Sequence, residues 1–147
     1  MDESVELARI SGLLSRLLGE HSVSQAERAL RFSFRDVAHT LVVFDQGRGP
    51  TALIAVALAR PVSKERGREL LAELHSEWRF GILEESDCCY LAASAPAALV
   101  TMVGVGRCIE TLARAITRVH SHGRVPPSGT RRLEGAQGSW AATPAKR

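Results

Sequence analysis

Residues 51–59, TALIAVALA, hold no charge and almost no polarity. On the two-residue period of a strand, Leu53 points to one side and Ile54, Val56 and Leu58 to the other, so both faces are apolar. Such a strand belongs in the middle of a sheet, covered by helices on one side and by a partner on the other. The flanks agree. DQGRGP at 45–50 combines an Asp, two glycines and a proline in turn order, and Pro61 ends the run.

The preceding residues supply neighbours for that strand. In RALRFSFR, 28–35, Leu30, Phe32 and Phe34 alternate with Arg31, Ser33 and Arg35, the pattern of a half-buried strand. Asp36 is the expected turn into a second strand, Val37 to Phe44. Further upstream, Ser4 to Leu18 repeats Leu7, Ile10, Leu14 and Leu17 at spacings of three and four, with Leu13 and Leu18 widening the stripe. Asp2 and Ser4 are candidate N-caps for this helix and Gly19 its stop.

Downstream, SKERGRELLAELHSEWRFGILEESDCCYLAA, 63–93, reads as a helix followed by a hairpin. Ser63 is placed to cap the helix, and Leu70, Leu71, Leu74 and Trp78 form its apolar stripe. Glu69, Glu73 and Glu77 fall on the opposite side at i, i+4, a solvated row before it is a docking surface. Strands at Phe80–Glu84 and Cys88–Ala93 then turn about Glu85, Ser86 and Asp87. A last helix covers about 103–120 on the stripe Val105, Ile109, Leu112, Ile116 and Val119, and begins somewhere between Pro96 and Met102. The expected class is α+β: an antiparallel sheet of about five strands with helices packed on it, in the order α-β-β-β-α-β-β-α.

The basic pI of 9.1 says little about the domain. From residue 123 onward five basic residues (Arg124, Arg131, Arg132, Lys146, Arg147) stand against Glu134, a charge of +4; the whole chain carries +3, which leaves −1 on residues 1–122. The expected organisation is one domain over 1–122 and a disordered, basic Pro/Gly/Ala-rich tail over 123–147, with Trp140 a lone aromatic anchor within it. A nucleic-acid-binding domain carries its charge on a folded face, so that class stays an alternative confined to the tail.

Three cysteines, two of them adjacent, make no disulfide framework and fit reduced thiols in a cytoplasmic protein. The acidic N-terminal stretch MDESVELARI lacks the basic and apolar regions of a signal peptide. Residues 88–106 are uncharged, but their Ala, Ser and Gly content and central Pro96 argue against a membrane span.

Motifs of catalysis fail on context. Gly104-x-Gly106 after an apolar run outlines a dinucleotide-binding turn, yet Ile109 stands at the third glycine and no βαβ unit can follow. Those glycines fit close packing or a loosened helix start instead. His120 and His122 at i, i+2 do not share a helix face, and no third metal ligand is near. Cys108 lies within a helical pattern without a base. Ser24, Ser33 and Ser94 lack a nucleophile-elbow setting. Arg31 and Arg35, outward on a strand, are solvated residues before they are an anion site. No cofactor or metal is expected.

The element order, with ELLAELHSEWRFGILEESDCCYLAA at its centre, resembles the type III secretion chaperone-like superfamily, which includes the CesT/Tir chaperones and the YbjN-type regulators. In particular, the paired leucines running into aromatic-Arg-Phe-Gly and a polar turn are similar to the YbjN-type pattern. The resemblance covers roughly residues 5–120. It implies a small bacterial α+β domain, often a homodimer, that presents sheet and helix surfaces to an extended client and carries no catalytic residues. Two features depart from a secretion chaperone: the basic tail, and the long apolar segment Ala95–Val103. The expected partner or dimer surface comprises Leu71, Leu74, Trp78 and Leu53, and an open sheet edge offers a second mode in which a client strand is added.

Overall fold

The computed structural model describes residues 2–72, 74 and 77–119. The first helix, α1 (Glu3–Leu18), starts at Asp2, whose carboxylate accepts from the Ser4 backbone at 3.2 Å and from its hydroxyl at 2.8 Å. Glu3 and Glu6 in the first turn suit the positive end of the helix dipole. Gly19 ends the helix at φ 105°, a value a side chain disfavours, and donates its N–H to Ser15.

Six strands follow rather than about five: β1 (Val23–Ala26), β2 (Ala29–Phe34), β3 (Val37–Asp45), β4 (Pro50–Leu58), β5 (Arg79–Glu85) and β6 (Cys88–Pro96). Helix α2 (Lys64–Ala72) lies between β4 and β5, and α3 (Met102–Val119) closes the described chain after a short 3-10 turn at Ala97–Leu99. All neighbouring strands are antiparallel, in the order β1-β2-β3-β4-β6-β5. The sheet therefore has β1 and β5 at its edges, and β4 lies between β3 and β6, the central place its two apolar faces demand.

Local chemistry explains the turns. Arg35 and Asp36 both take left-handed φ, 52° and 62°, which gives the β2–β3 hairpin a turn matched to the strands' right-handed twist. In the β3–β4 turn, Asp45 Oδ1 accepts from the Gly47 and Gly49 N–H groups at 2.7 and 3.1 Å, and both glycines sit at φ 96°.

All three helices supply side chains to one face of the sheet. Leu7, Ile10 and Leu14 of α1, Leu70 of α2, and Val105, Ile109, Leu112 and Ile116 of α3 meet Leu30, Leu41, Val43, Ile54, Val56 and Leu91 in one core. Leu17, expected within this stripe, is instead 37% exposed, resting against α3 near Gly106.

The second helix is shorter than its sequence pattern predicts. Ser63 caps it as expected, accepting from Arg66 N–H at 3.1 Å, but it ends at Ala72. Leu74 and Trp78 thus lie beyond the helix, and so does Glu77. The continuous Glu69-Glu73-Glu77 row does not form: Glu69 pairs with Arg66 at 3.3 Å, Glu77 is past the helix end, and Glu73 lies outside the described residues. The last helix begins at Met102, the late end of its expected range.

Candidate protein-binding surfaces

The face of the sheet away from the helices is the least ordinary surface of the molecule. The alternation of β3 places Ala38, Thr40, Val42 and Phe44 there, and the other strands add Ala29, Leu53, Ala55, Ala57, Tyr90 and Ala92. Register aligns one residue from each strand into a row: Ser24, Arg31, Thr40, Ala55, Ala92 and Gly81, in that order across the sheet. Apart from Arg31 these are small, so the row is a trough. Val42 and Leu53, paired with each other, rise on one side of it; Tyr90 and Leu83, also paired, rise on the other. The trough spans six strands, roughly 24 Å at the usual strand spacing.

Thr40 sits at the centre of that row. It is fully buried, and its Oγ1 has no hydrogen-bond partner among the described residues. An unanswered buried hydroxyl costs on the order of 1–3 kcal/mol. Of the large apolar residues on this face, sequence reasoning identified only Leu53. Applying the same two-sided test to CCYLAASAP would have added Tyr90 and Ala92.

Leu71, Leu74, Trp78 and Leu53 do not form one patch. Leu71 and Leu74 are half-buried at the end of α2 and pack against the helix-side core. Trp78 is within that core, 5% exposed, against the start of α3. Leu53 lies on the opposite face of the sheet. A separate group that the sequence did not single out is the link into α3, where Leu99, Met102 and Val103 are 68%, 37% and 65% exposed. These residues belong to the apolar segment whose length departs from the chaperone pattern.

The polar groups near these surfaces are structural. Arg35 is in the β2–β3 turn rather than on the open strand face; its guanidinium lies 5.2 Å from the Phe34 ring and 3.5 Å from Glu110. Cys89 and Cys108 are buried, and burial pushes both thiols above their usual range, away from the nucleophilic thiolate. Ser24 and Ser33 line a shallow cleft of about 330 Å³ with Arg31 and His39, at the β1 side of the sheet. Gly104 and Gly106 are interior positions of α3, not a phosphate loop: a Cβ on Gly104 would lie 3.0 Å from Thr101 Oγ1 and 3.9 Å from Trp78 Nε1. Among the described residues no three His, Cys, Asp or Glu side chains gather to hold a metal ion, and no helix is long and apolar enough to cross a membrane. His120, His122, Trp140 and the basic tail lie outside the described residues.

A chain of the ExoT–SpcS complex from Pseudomonas aeruginosa superposes with a TM-score of 0.55 at 16% identity, covering 82% of this chain and 100% of that one. The likeness shows that the two chains share a fold. That structure holds ExoT and SpcS together. No protein-family model matches the chain, and no curated protein does.

Proposed function

We propose that the protein is a non-enzymatic, client-binding module of the cytoplasm, a chaperone-like or regulatory adaptor that works as a homodimer. The observation that carries this reading is the fold, shared over the full length of a chain from a chaperone–effector complex. In this reading the half-buried Leu71 and Leu74 at the end of α2 form the contact with the second copy or the client, supported from beneath by Trp78. The exposed edges β1 and β5 offer the backbone groups to which an extended client segment adds.

The test is affinity purification of the full chain from its native extract at low and high salt, with protein identification and nucleic-acid absorbance on the eluate. A protein retained in fixed ratio at high salt is the expected result, and it is lost from a Leu71→Asp, Leu74→Asp variant. Nucleic acid that binds at low salt and washes off as salt rises would overturn the reading and move the function to the +4 charge of residues 123–147.

A further inference from the structure

Leu99, Met102 and Val103 put three large apolar side chains into solvent within one short stretch of chain; among the described residues only Val5 and Leu17, both on α1, are comparable. The stretch is held firmly. Arg9 of α1 donates to the carbonyls of Ala97 and Val100 on one side of it. On the other side Leu17 stands against Gly106. Between those two contacts the three side chains form an apolar ledge on a fixed support, the mark of a contact surface rather than of a frayed end.

From the ledge, the outer face of α3 continues as arginine. Val103, Arg107, Arg114 and Arg118 fall within about 60° of one another on a helix of 3.6 residues per turn, and all four are exposed. Glu110, the one acid of α3, lies in the same row, where Arg35 at 3.5 Å and Arg114 at 3.8 Å already engage its carboxylate. Glu77 also comes near α3, but at Gly104, about 100° round the helix. The row thus sets three arginines against one occupied carboxylate, over ~22 Å from Val103 to Arg118.

We infer that this face of α3, headed by the ledge, docks an acidic amphipathic helix of the client. The helix seats its apolar residues on Leu99, Met102 and Val103 and lays its carboxylates along Arg107 and Arg114. The inference rests on the client-binding reading and names the client's chemistry. Charge complementarity selects this occupant. A second copy of the same face would set arginine against arginine. A bilayer or a nucleic acid senses the whole domain, whose residues 1–122 carry −1. A short acidic helix senses the local row, within a screening length of ~8 Å. The apolar ledge and the basic row also match the two sides of an amphipathic helix, whereas a bare polyanion leaves the ledge uncovered.

The test is fluorescence anisotropy of the full-length protein with a labelled helical peptide, two leucines and a phenylalanine followed by glutamates spaced three and four apart on alanine. The peptide should bind, and amide shifts should locate it on 99–114. Arg107→Glu with Arg114→Glu should weaken binding roughly tenfold, and Leu99→Ser with Val103→Ser by a similar factor. Glu110→Gln should tighten it about twofold, by removing the one acid of the row. These positions are exposed, so unchanged thermal midpoints should accompany every variant. Absence of binding, or binding that neither double variant weakens, overturns the inference. So does stronger displacement of the peptide by phosphatidylserine vesicles or single-stranded DNA than by unlabelled peptide. The assay uses no native client, so it can fail while the client-binding reading stands. A client retained from extract by the Arg107→Glu, Arg114→Glu chain, yet lost from the Leu71→Asp, Leu74→Asp chain, would be that case.

Discussion

Arg9 of α1 donates from Nη1 to the carbonyl of Val100, 2.9 Å away and 91 residues along the chain. The same guanidinium reaches the Ala97 carbonyl and holds Glu6 through Nε at 3.0 Å and Nη2 at 3.4 Å. Arg9 thus ties the first helix to the link that precedes the last, and does so beside a carboxylate that is only 2% exposed.

Replacing Arg9 by alanine leaves Glu6 buried and unpaired and frees two carbonyls. The loss should be about 2–3 kcal/mol, below the 3–5 typical of broken buried pairs because Arg9 itself is over a third exposed. Arg9→Lys should recover only part of it, since a single ammonium cannot span the fork between carboxylate and carbonyls. Urea unfolding of the three proteins checks both statements.

Thiol chemistry should follow burial. Cys88 is half-buried, whereas Cys89 and Cys108 are enclosed and held in the thiol form by desolvation. Alkylation of the native protein should therefore modify Cys88 first, with Cys108 reacting only as fast as the domain opens. Mass spectrometry of a timed reaction reads the order. Rapid labelling of Cys108 in the native state would contradict the packing of α3 on the sheet.

His39 makes stability depend on pH. Its ring stacks on Phe32 with centroids 5.0 Å apart and is 1% exposed. The Val37 carbonyl, 2.9 Å from Nδ1, can only accept, so Nδ1 carries the proton of the neutral ring. Nε2 has no partner among the described residues, and protonating it would bury a charge. Burial lowers the folded pKa from 6.5 to about 4. The unfolded chain therefore binds more protons between those values. The stabilisation is complete above about pH 6.5 and is lost as pH falls toward 4, to a total on the order of 3 kcal/mol. A His39→Phe variant should flatten that slope in denaturant melts taken across the window.

The sequence made the α+β order legible because its strongest signals are periodic. TALIAVALA demanded a central strand with two covered faces, and β4 is central with both faces buried. Strand β1 gave no such signal: VSQA offers only Val23 and the small Ala26 as apolar residues, in an edge strand of four. It is defined by pairing with Phe32, Arg31, Leu30 and Ala29, which no local pattern records. The leucine spacing of 70–78 overstated α2 because Trp78 is buried by tertiary contact with α3 rather than by a helical stripe. The candidate surface was harder still. Leu53 announced a second apolar face, but the trough exists only through the register of six strands.

Gly104 and Gly106 share α3 but differ in place and in what stands opposite: Gly104 is in the capped first turn and Gly106 lies beyond it. A Cβ on Gly106 would lie 3.4 Å from Leu17 Cδ2, and Leu17 is 37% exposed, so its side chain can yield. Gly106→Ala should then stabilise by about 0.5–1 kcal/mol, the helix preference of alanine over glycine. At Gly104 the same methyl would press at 3.0 Å on Thr101 Oγ1, which accepts the Gly104 N–H and caps the helix. The helical gain and the disturbed cap are both about 1 kcal/mol, so Gly104→Ala should be near neutral. Gly104→Val adds bulk toward Trp78, which is already buried, and should cost roughly 2–3 kcal/mol through overpacking and a branched side chain in the helix. Thermal or denaturant unfolding of the three variants reads the order directly. If Gly104→Val were as stable as Gly106→Ala, Trp78 could not be packed against the first turn of α3.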